Sequence, residues 1–490
     1  MRNRSSIFVR SMVAYWCWIV GAASGIAVRV IGAKRLQWIS KRVPMEYLFW
    51  RNLGIVAAVA IFAWKARGRL GCSQLFDRTH TKWDIRKAVP LERRMVYDNG
   101  LGQTPLMGWS GWNFYECTIN EKIVYGNMDA LVRLDLPSYG YNYVIVDDCW
   151  SAYKRDKEGN LRSDKKTFPS GMKALADYAH ERGMKFGLYS DAGRMTCKCH
   201  RAASEGHEFR DARTFASWGI DYLKQRFHLR NGATPPRNSC RYPVMSEALN
   251  KSGRPIFYAM CEWGEDHPAV WAGKYANSWR TSLDVKDRWP RIELLADDNN
   301  LWASYAGPGG WNDPDMLQVG NGRMSLAEYR SHFSIWSIMK APLIIGCELR
   351  TITKEHLEIY KNTEIIAVNQ DSLGIQGRKV SRIGQSEVIT SCLTLTKLCV
   401  TTQVWAGPLS GDRIVMAAWN RGWKRALITI NWYDIGLEPS VTASVRDLWK
   451  HEDWTQRQKD GFEVEIDSHD CGVYILSNIS MVELYFNSGR

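Results

Sequence analysis

Between residues 99 and 379 the chain alternates short apolar runs with amphipathic stretches, and few folds accommodate that rhythm. The apolar runs are Leu106–Trp109, Tyr143–Val146, Lys185–Tyr189, Asp221–Leu223, Pro255–Met260, Ser278–Thr281, Gly310–Trp311 and Pro342–Gly346. Helical periodicity lies between them, as in Glu121–Leu134, Gly171–Arg182 and Leu326–Met339. Phe168-Pro169-Ser170 reads as a helix start, because Ser and Pro suit the cap and the first turn. Eight strand–helix units in about 280 residues predict an α/β fold, a (β/α)8 TIM barrel. A doubly wound sheet is the alternative, but no Gly-rich phosphate loop follows the first strand.

The rhythm then changes. Ile414–Trp419, Ala426–Trp432, Val441–Val445 and Phe462–Ile466 are short strands separated by turn residues. They predict a C-terminal antiparallel β-sandwich domain. The expected organisation is a basic N-terminal targeting, anchoring or poorly ordered segment over 1–95, a barrel over 96–379 and a β-domain over 380–490. The Thr-, Leu- and Cys-rich patch Ile389–Thr402 reads as an inserted loop or strand pair.

Lys and Arg (65) exceed Asp and Glu (51) by 14, and residues 1–94, with 18 basic and 4 acidic residues, carry that whole surplus. The rest of the chain is neutral, so nothing in it points to nucleic acid. Met12–Val28 follows a basic start and reads as a signal peptide or short signal anchor. Leu53–Trp64 is too short to span a bilayer easily. A membrane contact is expected only if this segment is an anchor.

Twelve cysteines behind such a start favour an oxidising compartment. Cys117 and Cys149 both follow predicted barrel strands and are placed to pair. Cys197-Lys198-Cys199-His200 has the wrong spacing for a zinc hook and no matching second cluster, so a disulfide is the better reading. Asn250-Lys251-Ser252 and Asn478-Ile479-Ser480 are glycosylation acceptors in a secreted chain.

In a barrel of this kind the C-terminal strand ends carry the chemistry. Here they bring Trp112, Asp147-Asp148-Cys149-Trp150, Tyr189-Ser190-Asp191, Lys224, Cys261-Glu262-Trp263, Arg280 with Asp284, Asp313 and Asp315-Met316. A single Asp at such a place is usually a helix cap. Six strand ends that carry charged residues, acting together, are another matter. Carboxylates bind hydroxyls bidentately, Trp faces stack on a pyranose ring, and Lys and Arg order the cluster. That combination suits a sugar. A metal hydrolase is disfavoured, since no His occurs at these ends before His228 and no HExxH pairing exists. No metal and no cofactor are expected.

Several motifs are long enough to carry a family likeness. Asn99-Gly100-Leu101-Gly102, Met107-Gly108-Trp109, Val146-Asp147-Asp148-Cys149-Trp150, Gly187-Leu188-Tyr189-Ser190-Asp191-Ala192-Gly193, Cys261-Glu262-Trp263-Gly264 and Ala306-Gly307-Pro308-Gly309-Gly310-Trp311-Asn312-Asp313-Pro314-Asp315-Met316 resemble the plant α-galactosidases of glycoside hydrolase family 27. The resemblance runs from about Asn99 to the end of the β-domain. It implies release of terminal α-linked galactose from oligosaccharides or galactoconjugates by a retaining double displacement. It also implies a secreted protein of the cell wall or vacuole. By resemblance Asp284 is the general acid/base. Trp112, Asp147, Asp148, Tyr189, Lys224, Cys261, Trp263, Arg280, Asp315 and Met316 match positions around the galactose.

One segment departs from the pattern. Where the family reads Lys-Tyr-Asp-Asn-Cys, this chain reads Lys224-Gln225-Arg226-Phe227-His228. Arg226 occupies the nucleophile position and His228 that of a disulfide cysteine. Cys197 then lacks its usual partner, with Cys199 and Cys240 as replacements. Ser110-Gly111 and Leu283 are smaller departures. An arginine stays protonated and offers no lone pair, so the covalent route is closed to it. A galactose-binding protein without turnover is the alternative function.

Overall fold

The computed structural model describes Ile85 and residues 97–198, 200–227, 241–383 and 402–481. The chain divides into two units, Met1–Thr81 and Lys82–Arg490, and the described residues belong to the second. Both N-terminal apolar runs, the replacement cysteines Cys199 and Cys240, His228, and residues 389–401 lie outside the described residues. Among the described residues no helix is long and apolar enough to cross a membrane.

Eight parallel strands follow one another around a barrel: β1 (Met107–Ser110), β2 (Tyr143–Val146), β3 (Lys185–Asp191), β4 (Tyr222–Arg226), β5 (Phe257–Cys261), β6 (Ser278–Arg280), β7 (Trp311–Asp313) and β8 (Leu343–Ile345). Each pairs with the next as far as β7, and β8 returns to pair with β1. The ring closes just beyond β7, where Leu317 donates its amide to Ile344 O at 2.8 Å and bridges in parallel to Ile345.

Side-chain alternation explains how so small a ring is filled. Tyr143, Ile145, Tyr222, Phe257, Ala259 and Ile344 share one cluster with Met316 inside the barrel. Val144, Val146, Leu223, Tyr258 and Met260, the residues between them, belong to the core beneath the surrounding helices. Both faces are therefore buried, and the strands read as near-continuous apolar runs. Gly187 is needed for this crowding, because a Cβ there would stand 2.7 Å from the Tyr222 ring.

The helix Glu121–Arg133 is capped by Asn120, whose side chain accepts from the Ile123 amide, and Leu326–Ile338 carries a full Ser325/Glu328 capping box. The expected Ser170 cap is a correction. Met172–His180 starts from Gly171 at φ 86°, while the Ser170 amide donates to Glu121 at 2.9 Å. A left-handed entry suits glycine, and it releases Ser170 to tie two helices together.

The second sheet is antiparallel. Its order is β14 (Glu452–Asp453), β13 (Val441–Asp447), β17 (Cys471–Met481), β11 (Arg413–Asn420), β10 (Thr402–Leu409) and β9 (Arg378–Ile383). The short β15 (Gln458–Lys459) also pairs with β13, and a separate pair, β12 (Ala426–Asn431) with β16 (Gly461–Ile466), covers one face. Val404, Ala406, Ile414, Met416 and Ala418 pack with Ile428, Ile430 and Phe462 of that pair. Trp405, Val415, Ala417 and Trp419 instead join the barrel core. The helix Leu326–Ile338 mediates the join: Ser331 donates to His469 O at 2.6 Å and Ser334 accepts from Trp449 Nε1 at 3.0 Å.

Candidate active site

The strand ends meet in a connected polar cluster, which begins on β2 and β4. Asp147 accepts from the Asp148 amide at 2.8 Å and from Lys224 Nζ at 2.7 Å. Both partners of that ion pair are largely buried. Burial works most strongly against the Lys224 charge, but Asp147, Cys261 and Asp315 together outweigh it and hold the ammonium above its ordinary value. Lys224 also stands 5.9 Å over the ring of Tyr189, whose hydroxyl burial keeps protonated. Asp148 accepts from the amides of Cys149 at 2.6 Å and Lys198 at 3.1 Å, and burial raises its carboxyl. Cys149 sits at φ 79° and is disulfide-bonded to Cys117.

A second group comes from β5, β6 and the segment after β7. Arg280 is 2% exposed and spans two carboxylates, Asp315 at 3.2 Å and Asp284 at 3.3 Å. It also faces Cys261 Sγ at 3.6 Å, a thiol that burial pushes up to about 12. Trp263 and Asp315 adopt left-handed backbone angles, φ 58° and 87°, which turn them back toward the cluster. Such conformations are costly for large residues and persist only where surroundings hold them. Asp315 is held by the amides of Val285 at 2.8 Å and Met316 at 2.9 Å. Met316 packs into the inner barrel cluster, against which Trp112 rests.

Asp284 is the accessible carboxylate of this group, its side chain 41% exposed. Trp263 Nε1 donates to it at 2.7 Å. Burial alone would raise the Asp284 carboxyl, but Arg280, Lys224 and Arg226 outweigh that and hold it below the ordinary range.

Arg226 closes the circuit. The pleat of β4 turns Tyr222, Lys224 and Arg226 to one face, while buried Gln225 on the other accepts from the Tyr258 hydroxyl. The Arg226 guanidinium lies 3.6 Å over the Trp263 ring, and Nη1 donates to Cys197 Sγ at 2.6 Å. Cys197 is a free thiol, which corrects the expectation of a disulfide at this cysteine. Among the described residues no group of His, Cys, Asp and Glu is arranged to hold a metal ion.

All the residues singled out for galactose therefore converge, by direct contact or through the Met316–Trp112 cluster. Two further residues gained significance only from the fold. Cys197 comes from the loop after β3 to meet Arg226. Asp191 lies in register with Arg226 across the β3–β4 ladder, and burial pushes its carboxyl up to about 7. The signal for Asp191 was its place at the end of β3; for Cys197 the sequence offered none beyond its missing partner.

The family model described as Alpha galactosidase A matches residues 104–371, and one described as the Alpha galactosidase C-terminal beta sandwich domain matches residues 400–476. Alpha-galactosidase 3 of Arabidopsis thaliana is 53% identical over 384 residues, covering 78% of this chain and 84% of that protein. The α-galactosidase of Cyamopsis tetragonoloba is 50% identical over 386 residues, covering 79% and 89%. Among solved structures, α-galactosidase I of Mortierella vinacea superposes with TM-score 0.72 at 36% identity, covering 77% of this chain and 98% of that one. The Saccharomyces cerevisiae α-galactosidase with raffinose gives 0.70 at 30%, covering 79% and 99%.

Proposed function

Because the chain belongs to the α-galactosidase family, glycosidases of glycoside hydrolase family 27, we propose that its barrel mouth binds the terminal galactose of an α-galactoside and that Arg226 disables the retaining reaction there. The carboxylates of Asp147, Asp148 and Asp315 accept from sugar hydroxyls, with Lys224 aiming Asp147 and Arg280 aiming Asp315. Tyr189, Cys261 and Met316 shape the floor, and Trp112 and Trp263 supply ring faces.

Asp284 has the accessibility that an acid/base needs. The family's double displacement also needs a second carboxylate, about 5–5.5 Å from the first, to attack the anomeric carbon. The observation that carries the reading is the Arg226 guanidinium stacked on Trp263, the residue that donates to Asp284. A fixed cation opposes the positive charge that develops on the sugar. It also favours ionised Asp284, when the first step requires a proton donor. Galactose binding without efficient turnover follows.

The test pairs calorimetric binding of galactose with hydrolysis of an aryl α-galactoside. Wild type is expected to bind the sugar, and Arg226→Asp to hydrolyse faster by about three powers of ten or more. Wild-type hydrolysis as fast as that of Arg226→Asp would overturn the reading. The Cys117–Cys149 disulfide supports an oxidising destination, the cell wall or vacuole.

A further inference from the structure

A groove of 880 Å³ adjoins the mouth, and its charge is one-sided. It starts from Trp112 and Val285, and continues along Lys286, Arg288, Arg291 and Arg323. Val285 directly follows Asp284, and its amide is bonded to Asp315. The general acid of a glycosidase protonates the leaving-group oxygen. The groove therefore begins where the aglycone of a bound galactoside leaves the pocket.

The two acidic residues of the wall, Glu116 and Asp287, leave its four cations in excess. Glu116 bonds Lys198 at 2.9 Å. Asp287 is buried, accepts from the Tyr329 hydroxyl at 3.0 Å and from the Arg323 amide at 2.7 Å, and has its carboxyl raised by burial although the Arg323 charge acts against that. Arg291 feels Asp298 at a distance. Among the described residues none of the four cations forms an ion pair with a carboxylate within 4.0 Å, although Arg280 alone reaches two such partners nearby. Surface cations are often merely solvated, but four lining one concave wall next to a sugar site concentrate anions there. Arginine forks also match the geometry of carboxylate and phosphate oxygens.

We propose that this groove receives the aglycone and selects galactosides whose aglycone bears an oxyanion, a carboxylate or a phosphate. The inference rests on the galactose reading and adds the substrate class to it.

The experiment compares binding of galactose and of 4-carboxyphenyl, 4-phosphonophenyl and 4-carbamoylphenyl α-D-galactosides. The carbamoyl compound is the near-isosteric neutral control. The acids are expected to bind roughly tenfold more tightly than the amide at low salt, with the margin shrinking in high salt. The carboxylate and phosphonate arms tell which oxyanion is preferred. In the double variant Arg288→Gln, Arg323→Gln the margin should fall severalfold, whereas Arg288→Lys, Arg323→Lys should retain most of it. Galactose and all three galactosides binding without an acid preference would overturn the inference and leave the galactose reading standing. An acid preference undiminished in the Gln variant would overturn the assignment to this groove. No binding of galactose or any galactoside would overturn both.

Discussion

Lys224 and Arg226 stand two residues apart on one strand, face the same way and carry the same charge, yet they sit in opposite kinds of surroundings. On the β2 side Lys224 meets Asp147 at 2.7 Å, and each charge offsets the burial of the other. On the β3–β5 side Arg226 touches a thiol and an indole face, beside an aspartate driven toward its neutral form. The first arrangement is a matched pair of the kind that orders a binding site. The second places a cation at the position that the sequence resemblance assigns to the nucleophile. Under the proposed function recognition and catalysis part company within a single strand, because the residues proposed to hold the sugar are distributed over many strand ends while the family's nucleophile is one atom group on one of them.

The largest effect should come from exchanging that one group. Arg226→Asp is expected to raise aryl α-galactosidase activity by about three powers of ten or more, and the same change made with Lys224→Met should recover little of it. Rates of the single and double variants check this, and equal rates would break the distinction between the two positions.

Removing Lys224 alone should cost stability. Lys224→Met leaves Asp147 buried with its partner gone, an expected loss of about 3–5 kcal/mol in denaturant unfolding. A loss under about 1 kcal/mol would mean that the pair does not anchor the cluster.

Asp191 sharpens the contrast through pH. Its carboxyl titrates near 7 in the folded protein against 3.8 ordinarily, burial being the main cause. The native state therefore keeps a proton that the unfolded chain releases. The resulting destabilisation is absent below 3.8, grows as pH rises, and is complete above 7. Asp191→Asn should be more stable than wild type near neutrality by a few kcal/mol, and no more stable in acid. In Arg226→Ala the Asp191 window should extend upward, because a nearby positive charge is lost. Unfolding curves across pH test both statements; a constant difference between Asp191→Asn and wild type would refute them.

The smallest effect concerns Cys197. Burial raises its thiol, and Arg226 partly counteracts that. Alkylation at neutral pH should accordingly be slower than for a fully exposed cysteine. In Arg226→Lys it should be slower again, by roughly twofold to tenfold, because lysine lacks the fork that reaches the sulfur. Mass spectrometry of timed iodoacetamide labelling reads it.

Much of the molecule was legible beforehand, for identifiable reasons. All eight barrel strands were visible because a parallel strand buried on both faces must be apolar along its length. Their ends stood out because polar residues follow such runs only where the chain emerges. β10 and β17 were not legible. Thr402–Leu409 is buried on both faces but carries polar residues, and its apolar partners come half from the barrel and half from β12 and β16. No alternation marks such a strand. The cap at Gly171 was missed because Ser170 satisfied the usual rule while its hydrogen bonds went to another helix.

By itself the sequence determined the barrel, the polar set of strand ends and the presence of Arg226 among them, since each depends on residue type and spacing along one strand. Only the tertiary structure decided what Arg226 does there. Its contact with Trp263, its bond to Cys197 and its pull on Asp284 and Asp191 join residues from four strand ends. The physical reason is that charge effects depend on distance and burial through space, and neither can be counted along the chain.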